Sequence, residues 1–354
     1  MIKKIQHKVE EFLNRHSEQF KHVSVMVIID VILLIAILLV HGLLVTSCLK
    51  ENLSDCPEEI RVYFDISTRT GDDIDPTNVD RMDFYVFDHK GKYLCEYIDP
   101  EIHHFDPDYY IDCSDLLPGK YRFVAWGGMD REFYSTEPVL FEKGKTTFNE
   151  ALLMLNHSDE IVSKPVHHLF HSDLPVTVST SRIQHFLMPL TQQTNTIEIR
   201  TLGFRTESER NYIFVIEDND CTYQFDAVFA KCSQKKFNLS EEPDNFKYET
   251  TCIKDASKQL HATLNVVRLA YNRHRPQLRL YDQTADVILY PAGGQSGDLI
   301  DLIIRAIPDN NFDTTNHYEI VLTFTDSGEG YPTRLPVTIH INGWELKEES
   351  NIIE

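Results

Sequence analysis

The sequence predicts a nearly all-β protein in which two β-sandwich domains follow an N-terminal export signal. Short segments of alternating apolar and polar residues recur along the chain, and clusters of Asn, Asp, Gly and Pro separate them. No stretch after the signal is long enough for a convincing amphipathic helix. A chain of this length normally divides into about two domains with separate cores. We therefore expect two antiparallel β-sandwiches.

The export signal ends in a lipobox. Val45, Thr46 and Ser47 precede Cys48, and the peptidase that cleaves before such a cysteine requires small side chains next to the bond and a branched apolar residue three positions before it. The thiol of Cys48 would receive a diacylglyceryl group, and its freed amine a further acyl chain such as palmitate. Two or more acyl chains hold a protein stably on a membrane. No cofactor is expected besides this covalent lipid.

An uncut transmembrane helix is the alternative for the same segment. Residues 23–45 form a run of 23 residues that is long enough to span a membrane. However, Asp30 and His41 interrupt the run and leave only residues 31–40 unbroken, which is typical of a signal-peptide core. The run length and the cysteine together favour the lipoprotein.

The charge of the chain limits its partners. Removal of residues 1–47 leaves 307 residues with 29 Lys or Arg and 51 Asp or Glu, a net charge of −22. An acidic surface is repelled by phosphates, which argues against nucleic acid as a partner. For the same reason, the lipid rather than a basic patch is expected to hold the protein to the membrane.

Motifs typical of enzymes and metal sites are missing from the sequence. It contains no HExxH, no GxSxG and no phosphate-binding loop. Among His167, His168 and His171, only His168 and His171 could share a helical face, and this pair lacks a third ligand at a sensible spacing. The cysteine spacings do not match zinc sites. We predict neither catalysis nor a bound metal. Disulfides and free buried thiols both remain open for the six further cysteines, Cys56, Cys95, Cys113, Cys221, Cys232 and Cys252.

The strand predictions define the organisation of the chain. Weak helix candidates lie at 114–117 and 284–290, and a linker is expected near 179–182. The parts are a signal peptide (1–47), a lipidated tether (48–57), an N-terminal sandwich (58–182), a C-terminal sandwich (183–346) and a charged tail (347–354). The predicted strands are 60–67, 82–87, 121–126, 196–201, 212–216, 222–225, 262–269, 277–281, 299–304, 318–324 and 335–341.

The last predicted strand has the sharpest alternation. Leu335, Val337, Ile339 and Ile341 line one face, directly before Gly343 and Trp344. A terminal strand usually pairs within its own sheet, and the alternative is that a neighbouring protein receives it by β-augmentation. The candidate residues for an interaction with another subunit are therefore Leu335, Val337, Ile339, Ile341 and Trp344.

Several stretches together resemble the fimbrial anchor lipoproteins of the FimB type, the anchor subunits of minor and major fimbriae in Gram-negative anaerobes. The first is the lipidated start CLKENLSDCP at 48–57, and the second is PGKYRFVAWGG at 118–128. The third joins HYEIVLTF at 317–324 to IHINGW at 339–344, and PLTQQTN at 189–195 is similar to the family's entry into its second domain. These stretches occur in the family's order along the whole mature chain.

The resemblance implies two transthyretin-like sandwiches and a role at the base of a fimbrium. Such a protein roots the fimbrial shaft in the outer membrane, faces the cell surface and ends shaft growth. Its partners are shaft subunits and accessory fimbrial subunits. In related shaft subunits a protease removes the first strand, whereas an anchor would keep it because the lipid lies directly before it. A surface glycan-binding lipoprotein with two sandwich modules is the alternative function.

Overall fold

The computed structural model of the chain describes residues 7–8, 10–11, 59–66, 79–103, 105–157, 160–162, 165–204, 206–207, 209–219, 222–228, 246–257, 259–271, 275–291, 295–324 and 337–346. The chain divides into two compact units, Met1–Cys56 and Pro57–Glu354. In the first unit the described residues are helical. In the second, strands dominate, so the predicted all-β class is confirmed.

The described part of the second unit holds 21 strands and the helix α1 (Leu299–Ala306). In chain order the strands are β1 (Glu59–Ile66), β2 (Met82–Asp88), β3 (Tyr93–Asp99), β4 (Tyr110–Asp112), β5 (Gly119–Gly127), β6 (Tyr134–Glu137), β7 (Leu152–Leu155), β8 (Ile161–Val162), β9 (Phe170–Val178), β10 (Ile183–Gln192), β11 (Thr194–Leu202), β12 (Tyr212–Asp218), β13 (Thr222–Gln224), β14 (Phe246–Thr251), β15 (Ile253–Lys254), β16 (Leu260–Val267), β17 (Gln277–Asp282), β18 (Val287–Tyr290), β19 (His317–Phe324), β20 (Val337–Ile341) and β21 (Trp344–Leu346).

These strands form four sheets. The seven-stranded sheet has the order β3-β2-β5-β9-β10-β1-β4, and the six-stranded sheet has the order β15-β16-β11-β19-β20-β21. A five-stranded sheet, β18-β17-β12-β14-β8, and a three-stranded sheet, β13-β7-β6, complete the set. Most pairs are antiparallel as predicted, but β1–β10, β8–β14 and β11–β19 are parallel. The predicted domain boundary lies between residues 182 and 183. Strand β10 follows this boundary and pairs with β1, which precedes it. The division into two domains stays a prediction.

Strands β2 and β5 are covered on both faces. On one face Phe84 packs against Phe123, with ring centroids 5.1 Å apart. On the other face Tyr85 and Trp126 contact Phe225, with centroid distances of 5.1 and 6.1 Å. Because both faces are buried, six consecutive residues of β2 are buried and the alternation typical of a half-buried strand is lost.

Residues 299–304 lie in helix α1, so the prediction of a strand there is wrong. The Asp298 carboxylate accepts a hydrogen bond from the Asp301 backbone N–H at 3.0 Å and caps the first turn. The buried residues recur with helical spacing, which is a signal that the apolar run alone concealed. The helix candidates at 114–117 and 284–290 are also wrong, since the first is a turn region and the second contains a turn and β18. The buried residues of α1 are Leu299, Ile300, Leu302, Ile303 and Ala306.

Strands β9 and β10 flank the predicted linker at 179–182 and were not predicted. Pro175 lies in β9 and Pro189 in β10, and a proline argues against a central strand. Within the described residues, the long neighbour of β9 is β5 and the long neighbour of β10 is β1. Strands β9 and β10 meet only at 170–171 and 191–192. Residues 179–182 form the short loop that joins β9 to β10.

His171 in β9 makes the folded chain sensitive to acid. Its ring lies 4.4 Å from that of Trp126, and its Nε2 donates to the Phe225 carbonyl at 2.9 Å. Burial lowers the pKa of His171 from 6.5 to about 4, because the charged form loses its water. The unfolded chain then binds more protons, so stability should fall by about 3 kcal/mol as the pH drops through this window. Denaturant unfolding near neutral pH and at about pH 4 measures this loss, and an equal loss in His171→Gln would contradict the assignment.

Candidate functional site

The predicted lipid site lies outside the described residues. This applies to Cys48 and to Val45, Thr46 and Ser47, so lipidation stays a prediction. The apolar run at 23–45 is likewise not described. Among the residues that the structure describes, no helix has the length and apolar character needed to cross a membrane.

Strand β1, which follows the predicted tether, is an interior strand of the seven-stranded sheet. It pairs with β10 along its whole length and with β4 at residues 61–63. Ile60, Val62 and Phe64 are at most 3% exposed, and their side chains pack in the hydrophobic core on one face of this sheet. Removal of β1 would therefore expose the core that these side chains form.

The predicted interaction strand corresponds to β20, which is also an interior strand. It pairs with β19 on one side and with β21 on the other. Ile339 and Ile341 are fully buried in the same core as Leu346, and α1 contacts both β20 and β21. Leu335 lies outside the described residues, and the side chain of Val337 is not described. In this structure β20 thus pairs within its own sheet.

A two-residue turn at Asn342 and Gly343 joins β20 to β21. Their φ angles are 48° and 81°, and a type I′ turn requires positive φ at both positions. The Asn342 Oδ1 accepts a hydrogen bond from the Glu319 N–H at 2.7 Å, which ties the turn to β19. Strand β21 was not predicted, although an Asn-Gly pair after an alternating strand is a strong hairpin signal.

Strand β21 forms the edge of the six-stranded sheet as far as the described residues extend. Ile341 and Trp344 flank the turn and form a hydrogen-bonded pair, so the next residue, Glu345, directs its N–H and C=O away from β20. The Trp344 side chain is 63% exposed. This hairpin therefore offers a backbone edge next to a large exposed aromatic residue, an arrangement suited to an added strand.

The histidines and cysteines that the structure describes do not assemble into a reactive site. His168 Nδ1 lies 3.3 Å from Thr194 Oγ1, whereas His171 is buried in β9. Within the described ranges, no group of three or more His, Cys, Asp or Glu side chains could hold a metal. Burial raises the pKa of Cys252 to about 12, which keeps this thiol protonated and unreactive. The free thiols are Cys95, Cys113 and Cys252, while Cys56, Cys221 and Cys232 lie outside the described residues.

Comparison with known families accounts for most of the chain. The family model described as Mfa2, fimbrillin-A associated anchor proteins Mfa1 and Mfa2, matches residues 53–350. The chain belongs to this family. The match includes β1, β20 and β21, and it confirms the resemblance to fimbrial anchor proteins. An anchor protein of this family is associated with the cell surface and with fimbrial subunits.

Solved structures share the fold of this anchor-family member. The fimbrial anchor protein Mfa2 from Porphyromonas gingivalis aligns with a TM-score of 0.64 at 18% identity, covering 82% of this chain and 99% of that chain. A proposed polysaccharide-binding protein from Bacteroides thetaiotaomicron aligns with 0.64 at 20%, covering 83% and 99%. A proposed adhesin from Bacteroides ovatus aligns with 0.63 at 18%, covering 81% and 94%. A search of the curated proteins found no match.

Proposed function

We propose that this anchor-family member is a lipid-anchored subunit that attaches the fimbrial shaft to the outer membrane and ends its growth. The observation that carries the proposal is the family match, which begins five residues after Cys48. The lipobox at 45–48 supports a covalent anchor directly before the matched region. A surface-exposed position at the base of the fimbrium follows from both features.

The first strand supports the role of a terminator. Glu59, where β1 begins, is eleven residues from Cys48, so a cut at Arg61 or Arg69 would separate the folded body from its lipid. Strand β1 lies between β10 and β4, and Val62 and the other inward side chains of β1 are buried in the core. A chain that retains β1 has no vacated groove for another subunit. Growth of the shaft therefore ends at this protein.

The contact with the shaft is proposed at the edge of β21. An extended segment of a shaft subunit would add to this edge by β-strand complementation and pair with the outward N–H and C=O of Glu345. The exposed Trp344 side chain would cover the added strand, since large aromatic residues often dominate interfaces. Ile339 and Ile341 would act from the core by holding β20 in place behind the edge.

We expect Glu345→Pro to weaken the binding of purified shaft subunit by about tenfold or more, because proline removes the N–H that an added strand needs. Glu345→Ala retains this N–H and is the matched control, so its affinity should stay close to that of the unchanged chain. Surface plasmon resonance of both variants measures the difference. Equal affinities for the two variants would place the shaft contact elsewhere.

Co-purification tests the proposed function as a whole. The protein solubilised from outer membranes should bring fimbrial shaft subunits with it, and cells that lack it should release their filaments. Recovery on polysaccharide without any fimbrial subunit would instead favour the glycan-binding function.

A further inference from the structure

A basic cleft lies at one end of the seven-stranded sheet. Its volume is about 620 Å³, and it is lined by the turn between β2 and β3, the start of β5, the end of β9 and the loop at 147–149. The described lining contains the cations Lys90, Lys120 and Arg122 and one carboxylate, that of Asp88. Since the whole chain carries a net charge of −21, the cleft has the opposite sign to the protein around it.

Arg122 forms part of the wall of the cleft. Its guanidinium makes a bidentate ion pair with the carboxylate of Asp173. The same group lies 3.5 Å from the centre of the Phe148 ring. These contacts hold Arg122 in place and neutralise its charge, so the positive potential of the cleft comes from its lysines.

Lys90 and Lys120 are available to a ligand. Both residues are exposed, and neither forms an ion pair within the part of the chain that the structure describes. The nearby Asp88 carboxylate accepts hydrogen bonds from the backbone N–H groups of Lys90 and Lys92, both at 2.8 Å. This carboxylate forms no ion pair with either lysine in the described part of the chain, so the two ammonium groups can bind a negatively charged group from outside.

The cleft lies at the end of the sheet where the chain from the predicted tether joins the fold. Strand β1 begins at Glu59, whose N–H donates to the Arg182 carbonyl at 2.9 Å, in the loop that joins β9 to β10. Strand β9 ends at Val178, which pairs with Gly119 at the start of β5. Strand β2 ends beside this part of β5, at Asp88. The strand ends that border the cleft and the start of β1 therefore share one end of the sheet.

We propose that this cleft binds the phosphate groups of anionic lipid headgroups and so orients the protein on the membrane surface. The inference rests on the proposed lipid at Cys48. Eleven residues of extended chain span at most about 40 Å, so the tether keeps this end of the fold near the membrane. The lysines attract headgroup phosphates, and the acidic remainder of the surface is repelled by them. Both effects turn the cleft towards the membrane.

Acylation of lysine side chains tests this orientation. The mature lipidated protein would be reconstituted in phosphatidylcholine vesicles with and without phosphatidylglycerol, treated with an amine-acylating reagent and analysed by peptide mass spectrometry. We expect Lys90 and Lys120 to be labelled several-fold more slowly only when phosphatidylglycerol is present. Lys254, an exposed lysine of β15, is the internal control and should react equally in both vesicles.

A second arm adds inorganic phosphate to the protein in phosphatidylcholine vesicles. If inorganic phosphate protects Lys90 and Lys120 from acylation and phosphatidylglycerol does not, the cleft is a site for soluble anions and the inference is overturned. Unchanged labelling of Lys90 and Lys120 in a protein that carries lipid would overturn the inference and leave the proposed function intact. A purified protein without lipid on Cys48 would instead overturn the proposed function, and this inference with it.

Discussion

Cys48→Ala is expected to remove the protein from the outer membrane and to release fimbriae into the medium. Without the thiol no diacylglyceryl group can be attached, and each buried CH₂ that is lost removes about 0.8 kcal/mol of membrane affinity. The uncleaved precursor should retain residues 1–47 and stay behind in the inner membrane. Membrane fractionation, labelling with a palmitate analogue and electron microscopy of filament length measure the three consequences.

Cys56→Ala is the matched control, because it removes a second thiol from the same short segment and leaves the lipobox unchanged. It should keep the label, the outer-membrane location and normally attached filaments. Attached filaments of normal length on Cys48→Ala cells would show that the lipid is not what holds the shaft.

Val62→Asp is expected to cost about 4 kcal/mol of folding stability, which is a large part of the total for a typical domain. The side chain of Val62 is fully buried at the centre of β1, where a carboxylate would have neither water nor a partner cation. Denaturant unfolding of the purified protein, followed by circular dichroism, measures the loss. Cells that make this variant should also lack attached fimbriae, because β1 links the lipid to the fold.

Tyr63→Asp is the matched control for Val62→Asp. The Tyr63 side chain lies on the outer face of β1, is only half-buried and contacts Tyr110 with ring centroids 5.6 Å apart. The same charge at this position should cost only about 1 kcal/mol, through the lost ring contact and the low strand propensity of Asp. Equal destabilisation by both substitutions would contradict the assignment of the two faces of β1.

Local alternation predicted the strands whose two faces differ. In β1 the buried residues Ile60, Val62 and Phe64 alternate with more exposed ones, and the same pattern predicted β20. Alternation failed for elements in which burial does not alternate from one residue to the next. The apolar run of α1 concealed its helical spacing. Strands β9 and β10 contain prolines, and proline at a strand edge looks the same in sequence as proline in a loop.

The features that depend on distant residues could not be predicted from the sequence. The parallel pairing of β1 with β10 joins residues more than a hundred positions apart, and no local pattern encodes it. The basic cleft brings together Lys90 from the turn between β2 and β3 and Lys120 from β5 in a strongly acidic chain, so the net charge gives no indication of this local positive charge. The β21 edge could have been predicted from Asn342 and Gly343, whose turn type requires a returning strand.

Mass spectrometry of the intact mature protein from outer-membrane fractions would show whether the protein is lipidated at Cys48 and keeps β1. We expect a chain that begins at Cys48, carries a diacylglyceryl group and an amide-linked acyl chain, and still contains the β1 peptide with Ile60 and Phe64. A chain that begins at Met1 without fatty acid, or one that begins after Arg61 or Arg69, would contradict this expectation.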